Sequence, residues 1–431
     1  MKDFYKYVIL AVFLYSITGC SKDTKLTSTG TYVDFSDITS AAQPDNSLQY
    51  YNIEIPTAQQ NTDWTTSSFS LEGVSENVLV KSNLSKINTY DLYKSSATPD
   101  MMRNPIISNN ILFVLDNENT VYAYDASNPG ILIWKKHLNN SGAEFLGGGI
   151  TVKDTYLAAT YGNKDLVLLD PSNGDEVWRY NLSNISRAAP IIVKGDVLAL
   201  TVDNKLYCIE LGSGLLKWTH ESASEEFGMI GNASPEAKQN FIIVPSSSGQ
   251  ISALDSSTGE LKWDTLLSSG TKQAYLNDID MTPVIVNKTV YVSNYSGNLF
   301  AINLASGITE WSNPNGGGNN SIWIAEDYIY SINKDKKLLA IYKETGAIKW
   351  VYNLFSKSPT DKKYTVKFNG PIMVNGQLYI CSSNGELIII DAKTGKKIKQ
   401  KNIIKDIYSP PIAANNKIYL FSNSGTLSIV S

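Results

Sequence analysis

From about residue 97 to its end, the chain alternates short apolar runs with clusters of Gly, Asn, Ser and Asp. The runs hold three to six residues rich in Val, Ile, Leu and Tyr, and none shows a helical period. That pattern predicts β-strands joined by tight turns. One unit displays the grammar in full. An apolar strand at Pro283–Val286 precedes a second at Val290–Val292, a turn at Tyr295–Asn298 and a third strand at Leu299–Ile302. A second turn at Ala305–Gly307 then leads into a strand carrying Trp311. Leu206–Ile209, Ile251–Leu254, Leu338–Ile341 and Leu387–Ile390 stand in the same third-strand place. Glycine serves these turns because tight hairpins use positive φ, which a Cβ makes costly.

The units repeat. Gly130 leads to Trp134, Gly174 to Trp178, Gly214 to Trp218, Gly259 to Trp263, Gly307 to Trp311 and Gly346 to Trp350, always four residues on. A seventh copy, Thr394-Gly395, puts Lys399 in the Trp position. Successive Trp are 44, 40, 45, 48 and 39 residues apart, the spacing of propeller blades. The fold class expected is all-β: an eight-bladed β-propeller of four-stranded antiparallel blades, since radial stacking buries both faces of each sheet. The six Trp are read as structural, each a flat side chain wedged against the neighbouring blade. The eighth copy ends at Thr426–Ile429 without a Trp strand. The missing strand is expected from the N-terminal side, around Trp64 to Ser70, closing the last blade.

The beginning of the chain differs. Lys2 and Lys6 precede an apolar run from Tyr7 to Tyr15, followed by Ile17-Thr18-Gly19-Cys20. A basic start, a short apolar core and small residues make a secretory signal over residues 1–19. Its end resembles the bacterial lipobox, which implies cleavage before Cys20 and acylation of its thiol. Ser21 in second place resembles the outer-membrane sorting choice. Residues 20–60, rich in Ser, Thr, Asp, Asn and Gln, read as a tether, and residues 61–431 as the propeller.

Composition narrows the chemistry. Hydrophobic residues make up 42% and charged residues 18% of 431, which excludes wholesale disorder. A net charge of -4 argues against a phosphate-neutralising face for nucleic acid. Three cysteines and two histidines leave little for metal or thiol chemistry. His137 and His220 follow a blade Trp at strand ends, the place of loop or edge residues. Gly147–Gly149 and Gly316–Gly318 precede strands, so a phosphate-cradle reading lacks its helix. Asp361–Tyr364 reads as a solvated insertion.

With Trp four residues after Gly in six copies, the unit resembles the repeat of the pyrroloquinoline-quinone-type propellers. Within that group the lipidated eight-blade chain resembles the BamB family of outer-membrane assembly lipoproteins, over nearly all of residues 50–431. The stretch Leu276–Pro283 is especially similar. The resemblance implies a non-catalytic scaffold without cofactor, held at the periplasmic face of the outer membrane. Its implied partners are a BamA-like barrel-assembly protein, associated lipoproteins and unfolded outer-membrane proteins, with the chain one monomeric subunit of a hetero-complex. It also implies that Asp278 and Asp280 face the partner together with the preceding-blade loop, whose matching residues are Phe227, Met229 and Ile230. Ile230 stands where the family pattern has Arg, so charge-assisted contacts there are absent. Two other readings follow from the same blades: a binding module for another protein or glycan, and a quinoprotein dehydrogenase. Against the enzyme stand Cys208 and Cys381, which lie four blades apart, whereas the dehydrogenases resemble one another in a vicinal cysteine pair.

Overall fold

Among the described residues, 32 strands pair into eight four-stranded antiparallel sheets. The computed structural model describes residues 41–68, 74, 76–81, 85–94, 103–138, 147–162, 164–222, 233–267, 278–355 and 366–431. Residues 42–431 form one compact unit. Blades 1 to 7 each use consecutive strands, from Ile106–Ser108 through Leu132–His137 in blade 1 to Phe368–Val374 through Lys397–Asn402 in blade 7. In most blades the first strand is short and buried and the fourth is the most exposed. Blade 5 shows it, with Val284–Val286 inside and Thr309–Asn313 outside. The turns between strands 1 and 2 and between strands 3 and 4 share one rim, joined by bonds such as Ala126 N–H to Asn110 O at 2.8 Å. This is the hairpin rim. The turns between strands 2 and 3 and the links from blade to blade form the opposite, crossover rim.

The Gly–Trp spacing has a direct geometric cause. In each of the six Trp blades, Trp pairs with a third-strand residue, Ala123, Leu168, Cys208, Ala253, Ala301 or Ala340 in chain order. The register slips immediately after that residue in every case. Such a bulge re-aims the side chain, and the indole lands on the glycine of the next blade. A Cβ built on Gly174, Gly214, Gly259, Gly307, Gly346 or Gly395 would sit 2.5–2.8 Å from the ring of Trp134, Trp178, Trp218, Trp263, Trp311 or Trp350 respectively. Five of these indoles also donate Nε1–H to a carbonyl beside that turn, from Trp178 to Leu211 O at 2.8 Å to Trp350 to Ala392 O at 3.1 Å. Trp218 Nε1 makes no such bond. The sequence Trp of one blade thus serves the sequence Gly of the following one.

That rule explains both irregular copies. Blade 8 takes its outer strand from elsewhere and has no turn glycine between strands 3 and 4, so blade 7 needs no Trp and carries Lys399. Gly130 of blade 1 faces no indole, because the outer strand of blade 8 has none.

The ring is closed by an N-terminal strand, though not the one expected. Ile87–Asp91 pairs antiparallel with Thr426–Val430, Ile87 opposite Val430 and Asp91 opposite Thr426. Trp64 to Ser70 does not provide it. The described part of that segment crosses the ring axis instead: Trp64 exchanges backbone bonds with Ile107 of blade 1 (2.6 and 2.8 Å), and Ser67 N–H reaches Ile150 O of blade 2 at 3.0 Å. Trp64 stacks on Trp323, with 6.3 Å between ring centroids. The physical reason for the mistaken assignment is exposure. An outer strand needs few apolar residues, and Ile87–Asp91 (INTYD) is half exposed. Trp64 had the aromatic signature of a docking strand but uses it at the axis.

The segment 45–60, read above as tether, is also held. Asp45 N–H bonds Ile348 O at 2.7 Å, and Lys349 Nζ donates to Leu48 O at 2.5 Å. Farther on, Ile53, Trp64, Val78 and Val80 join the apolar core of blades 6, 7, 8 and 1. Asn61 Nδ2 donates to Ala413 O of blade 8 at 2.9 Å, and Val78 N–H to Met373 O of blade 7 at 3.1 Å. Residues 59–68 and 76–80 therefore form a strap through the ring axis, from the hairpin side at Asn61 and Val78 to the crossover side at Ser67, whose hydroxyl donates to Asn104 O at 2.7 Å.

Lys86 and Ser431 exchange both backbone bonds at 2.9 Å, so by antiparallel alternation Asn88 N–H points at Ile429. Asn88→Pro removes that donor while Asn88→Ala keeps it. The proline variant is expected to lose about 1–3 kcal/mol more than the alanine variant, read from urea-unfolding midpoints at equal slope.

Candidate functional site

The link between blades 4 and 5 enters the crossover rim at Asp278-Ile279-Asp280-Met281-Thr282. Pro283 follows, a residue without an N–H that suits a strand start. The link is tied down on both sides. Asp278 O accepts Tyr295 N–H at 2.8 Å, and Thr282 Oγ1 accepts Ser234 N–H at 3.1 Å. Ser234 in turn donates to Ala189 O of blade 3 at 2.9 Å. Ile279 and Met281 are buried between the blades.

The two carboxylates occupy different surroundings. Asp278 is only 1% exposed and is part of the packing between blades 4 and 5. Asp280 opens onto a polar axial cavity of about 260 Å³ at the crossover rim. Ser67, Asn104, Arg187, Asn319, Lys367 and Tyr408 are among its other walls, so nearly every blade contributes. Burial holds the Asp280 carboxyl above the ordinary carboxylate range. Its Oδ1 is buried with no hydrogen-bond partner, as is Nε of Arg187. Burial likewise lowers the Arg187 guanidinium from its ordinary value. Arg103, by contrast, is consumed by structure. It donates to Gly147 O at 2.7 Å, Asn119 Oδ1 at 3.0 Å, Tyr161 O at 3.1 Å and Asp116 O, stapling blade 1 to blade 2.

Phe227, Met229 and Ile230 lie outside the described residues, as does Cys20. The geometry therefore brings Asp280 to a cavity together with residues that no repeat position marked, chiefly Arg187 and Lys367. Both precede a first strand, in links whose sequences vary from blade to blade; the only available signal was a charged residue just before an apolar strand.

The remaining titratable candidates are dispersed. Cys208 and Cys381 are free, buried thiols in blades 3 and 7, and burial pushes Cys208 up to about 12. His137 and His220 sit on the outer strands of blades 1 and 3, with His137 Nδ1 3.2 Å from Thr120 Oγ1. Among the described residues no three His, Cys, Asp or Glu side chains stand together as a metal site.

Eight four-stranded blades, locked by Trp and closed by an N-terminal strand, define a propeller of the quinoprotein-like class. The sequence model of the family described as outer membrane protein assembly factor BamB matches residues 117–352 and 359–431. The chain belongs to that family. It is 26% identical over 327 residues to the BamB of Yersinia pestis, covering 73% of this chain and 81% of that one. With the BamB of Moranella endobia it shares 25% over 354 residues, covering 79% and 88%. The crystal structure of BamB from Moraxella catarrhalis superposes with a TM-score of 0.65 at 20% identity, over 78% of this chain and 98% of that one. A quinohemoprotein alcohol dehydrogenase from Comamonas testosteroni reaches 0.67 at 13% identity, over 86% and 81%. These two likenesses concern the fold.

The raised carboxyl of Asp280 has a stability consequence with a definite sign. Its folded-state value lies above the unfolded one, so the folded protein holds the proton more tightly. The burial penalty is absent below the ordinary carboxylate range and sets in as pH rises through the folded value. Asp280→Asn is expected to melt above wild type at neutral pH, with the difference vanishing near about pH 3, measured by thermal melts across that range.

Proposed function

We propose that this protein is a non-catalytic scaffold of the machinery that assembles β-barrel proteins in the outer membrane. In this reading Cys20 carries the lipid anchor, and the ring stands at the periplasmic face. The crossover rim docks a BamA-like partner through Asp280 and the loop from Phe227 to Pro235, with Phe227 and Met229 supplying apolar contact. Asp278, buried in the packing, positions the link and does not itself reach the partner. A ring with many interblade locks changes shape little on binding, which suits a part whose task is to hold a partner in orientation.

The observation that supports this reading is the family match, which spans the ring from blade 1 to blade 8. A second reading, a binding module for another protein or a glycan, draws on the axial cavity, where Asp280 and Arg187 face a polar space without hydrogen-bonding each other.

Affinity purification from detergent-solubilised membranes separates the two. Wild type is expected to recover the BamA-like protein. Asp280→Lys is expected to lose most of that recovery, and Asp280→Asn, which keeps the shape, to lose less. If neither wild type nor variants bring the partner down, the scaffold reading gives way to the binding module.

A further inference from the structure

The seventh blade breaks the Trp rule with a lysine, and that lysine is not alone. Lys393, Lys396, Lys397, Lys399, Lys401 and Lys405 fall within residues 393–405, a stretch without one carboxylate in a chain of net charge -4. All six are exposed, and the strand Lys397–Asn402 is exposed at every position. Lys399 and Lys401 share one face of the strand, and the bulge before Lys399 turns Lys397 to the other, so the exposed edge carries ammonium groups on both sides. Among the described residues none of the six forms an ion pair. Nearby carboxylates are turned to neutral partners: Glu386 accepts Gln400 Nε2 at 2.8 Å, and Asp391 accepts Thr394 N–H and Oγ1 at 2.8 Å. Like charges this dense repel one another, and among the described residues no direct ion pair offsets them.

Two further features lie beside the stripe. With a lysine where the indole would dock, a cleft of about 130 Å³ remains between blades 7 and 8. Ile389, Ile398, Ile403 and Val430 line it together with Lys399 and Lys401, and Ile398 is 50% exposed. An apolar floor beneath ammonium groups fits an amphiphile with an anionic head. The first residues of the compact unit also run close by, on the same side of the ring. Asp45 and Leu48 are bonded to the outer strand of blade 6, and Ile55 Cγ2 lies 3.4 Å from where a Cβ on Gly376 of blade 7 would be.

We propose that the outer edge of blade 7 binds the anionic phospholipid headgroups of a membrane surface. The stripe supplies the charge attraction, and the cleft between blades 7 and 8 takes part of one lipid. Orientation beside an anchored Cys20 rests on the lipoprotein reading; the lipid affinity itself does not. Acyl chains at Cys20 would hold the protein on the membrane, and an apposed basic surface adds a charge attraction that fixes how the ring sits against it.

Residues 21–431 contain every described strand and the strap, and lack the proposed acylation site. This protein is mixed with phosphatidylcholine vesicles with and without phosphatidylglycerol, and the bound fraction is read by sedimentation. Binding to the phosphatidylglycerol vesicles is expected to be at least roughly tenfold tighter, and to fall with salt. The combined variant Lys396→Gln, Lys397→Gln, Lys399→Gln, Lys401→Gln is expected to lose that preference with its melting unchanged, since all four side chains are exposed. Lys399→Trp, which fills the cleft and keeps five lysines, is expected to weaken binding less. Equal binding to both vesicle types, or a quadruple variant that binds like wild type, overturns the proposal. So does retention on heparin without vesicle binding, which would assign the stripe to a soluble polyanion. Recovery of the BamA-like partner is assigned to Asp280 at the axis and the binding of lipid to the outer edge of blade 7, so either proposal can fail while the other stands.

Discussion

An indole laid flat on the backbone of the next blade's glycine is the contact on which this ring depends. It demands two things at once, a bulge that turns Trp sideways and a glycine with nothing beyond Cα, and in five of the six copies a carbonyl beside the turn also accepts the indole N–H. Gly307 meets the second demand at φ +71°, with Trp263 where a Cβ would lie. Each blade therefore reads its neighbour, and the ring assembles as a chain of nearest-neighbour fits, much as stacked repeats do. Where the chain runs out, main-chain pairing takes over, and Ile87–Asp91 completes blade 8 through its ladder with Thr426–Val430.

This division of labour determines what could be read from the residues alone. The Gly–Trp offset carried the architecture, because packing of that kind leaves a fixed spacing in the sequence. The absence of Trp at Lys399 was equally informative, and its reason became visible only with the closing strand in place. The closing strand itself was misplaced: INTYD has no apolar alternation to betray it, while Trp64 advertises a docking role it does not play. Arg187 and Lys367 escaped notice for a related reason. They stand in blade-to-blade links, which obey no repeat, and their convergence at the axis is a property of the closed ring. Family resemblance drew attention to Asp278 and Asp280 alike, and nothing in the residues alone told the buried Asp278 from Asp280 at the cavity.

The ring is polar in the geometric sense. The hairpin rim receives the N-terminal segment, and residues 59–64 and 76–80 occupy part of its axial opening. The crossover rim carries the axial cavity with Asp280 and Arg187. The strap reaches that cavity at Ser67 but leaves Asp280 and Arg187 facing its polar space, and the lysine edge of blade 7 lies beside the segment that comes from the N-terminus. The proposed docking and lipid-binding surfaces are thus separate on the ring.

A double-mutant cycle on Trp263→Ala and Gly307→Ala tests the interblade lock most directly, with unfolding free energies from urea titration. The account predicts strong coupling: the added methyl clashes with the indole, so Gly307→Ala costs at least about 1 kcal/mol less once Trp263 is gone, leaving only its backbone strain. Two costs that simply add would contradict it.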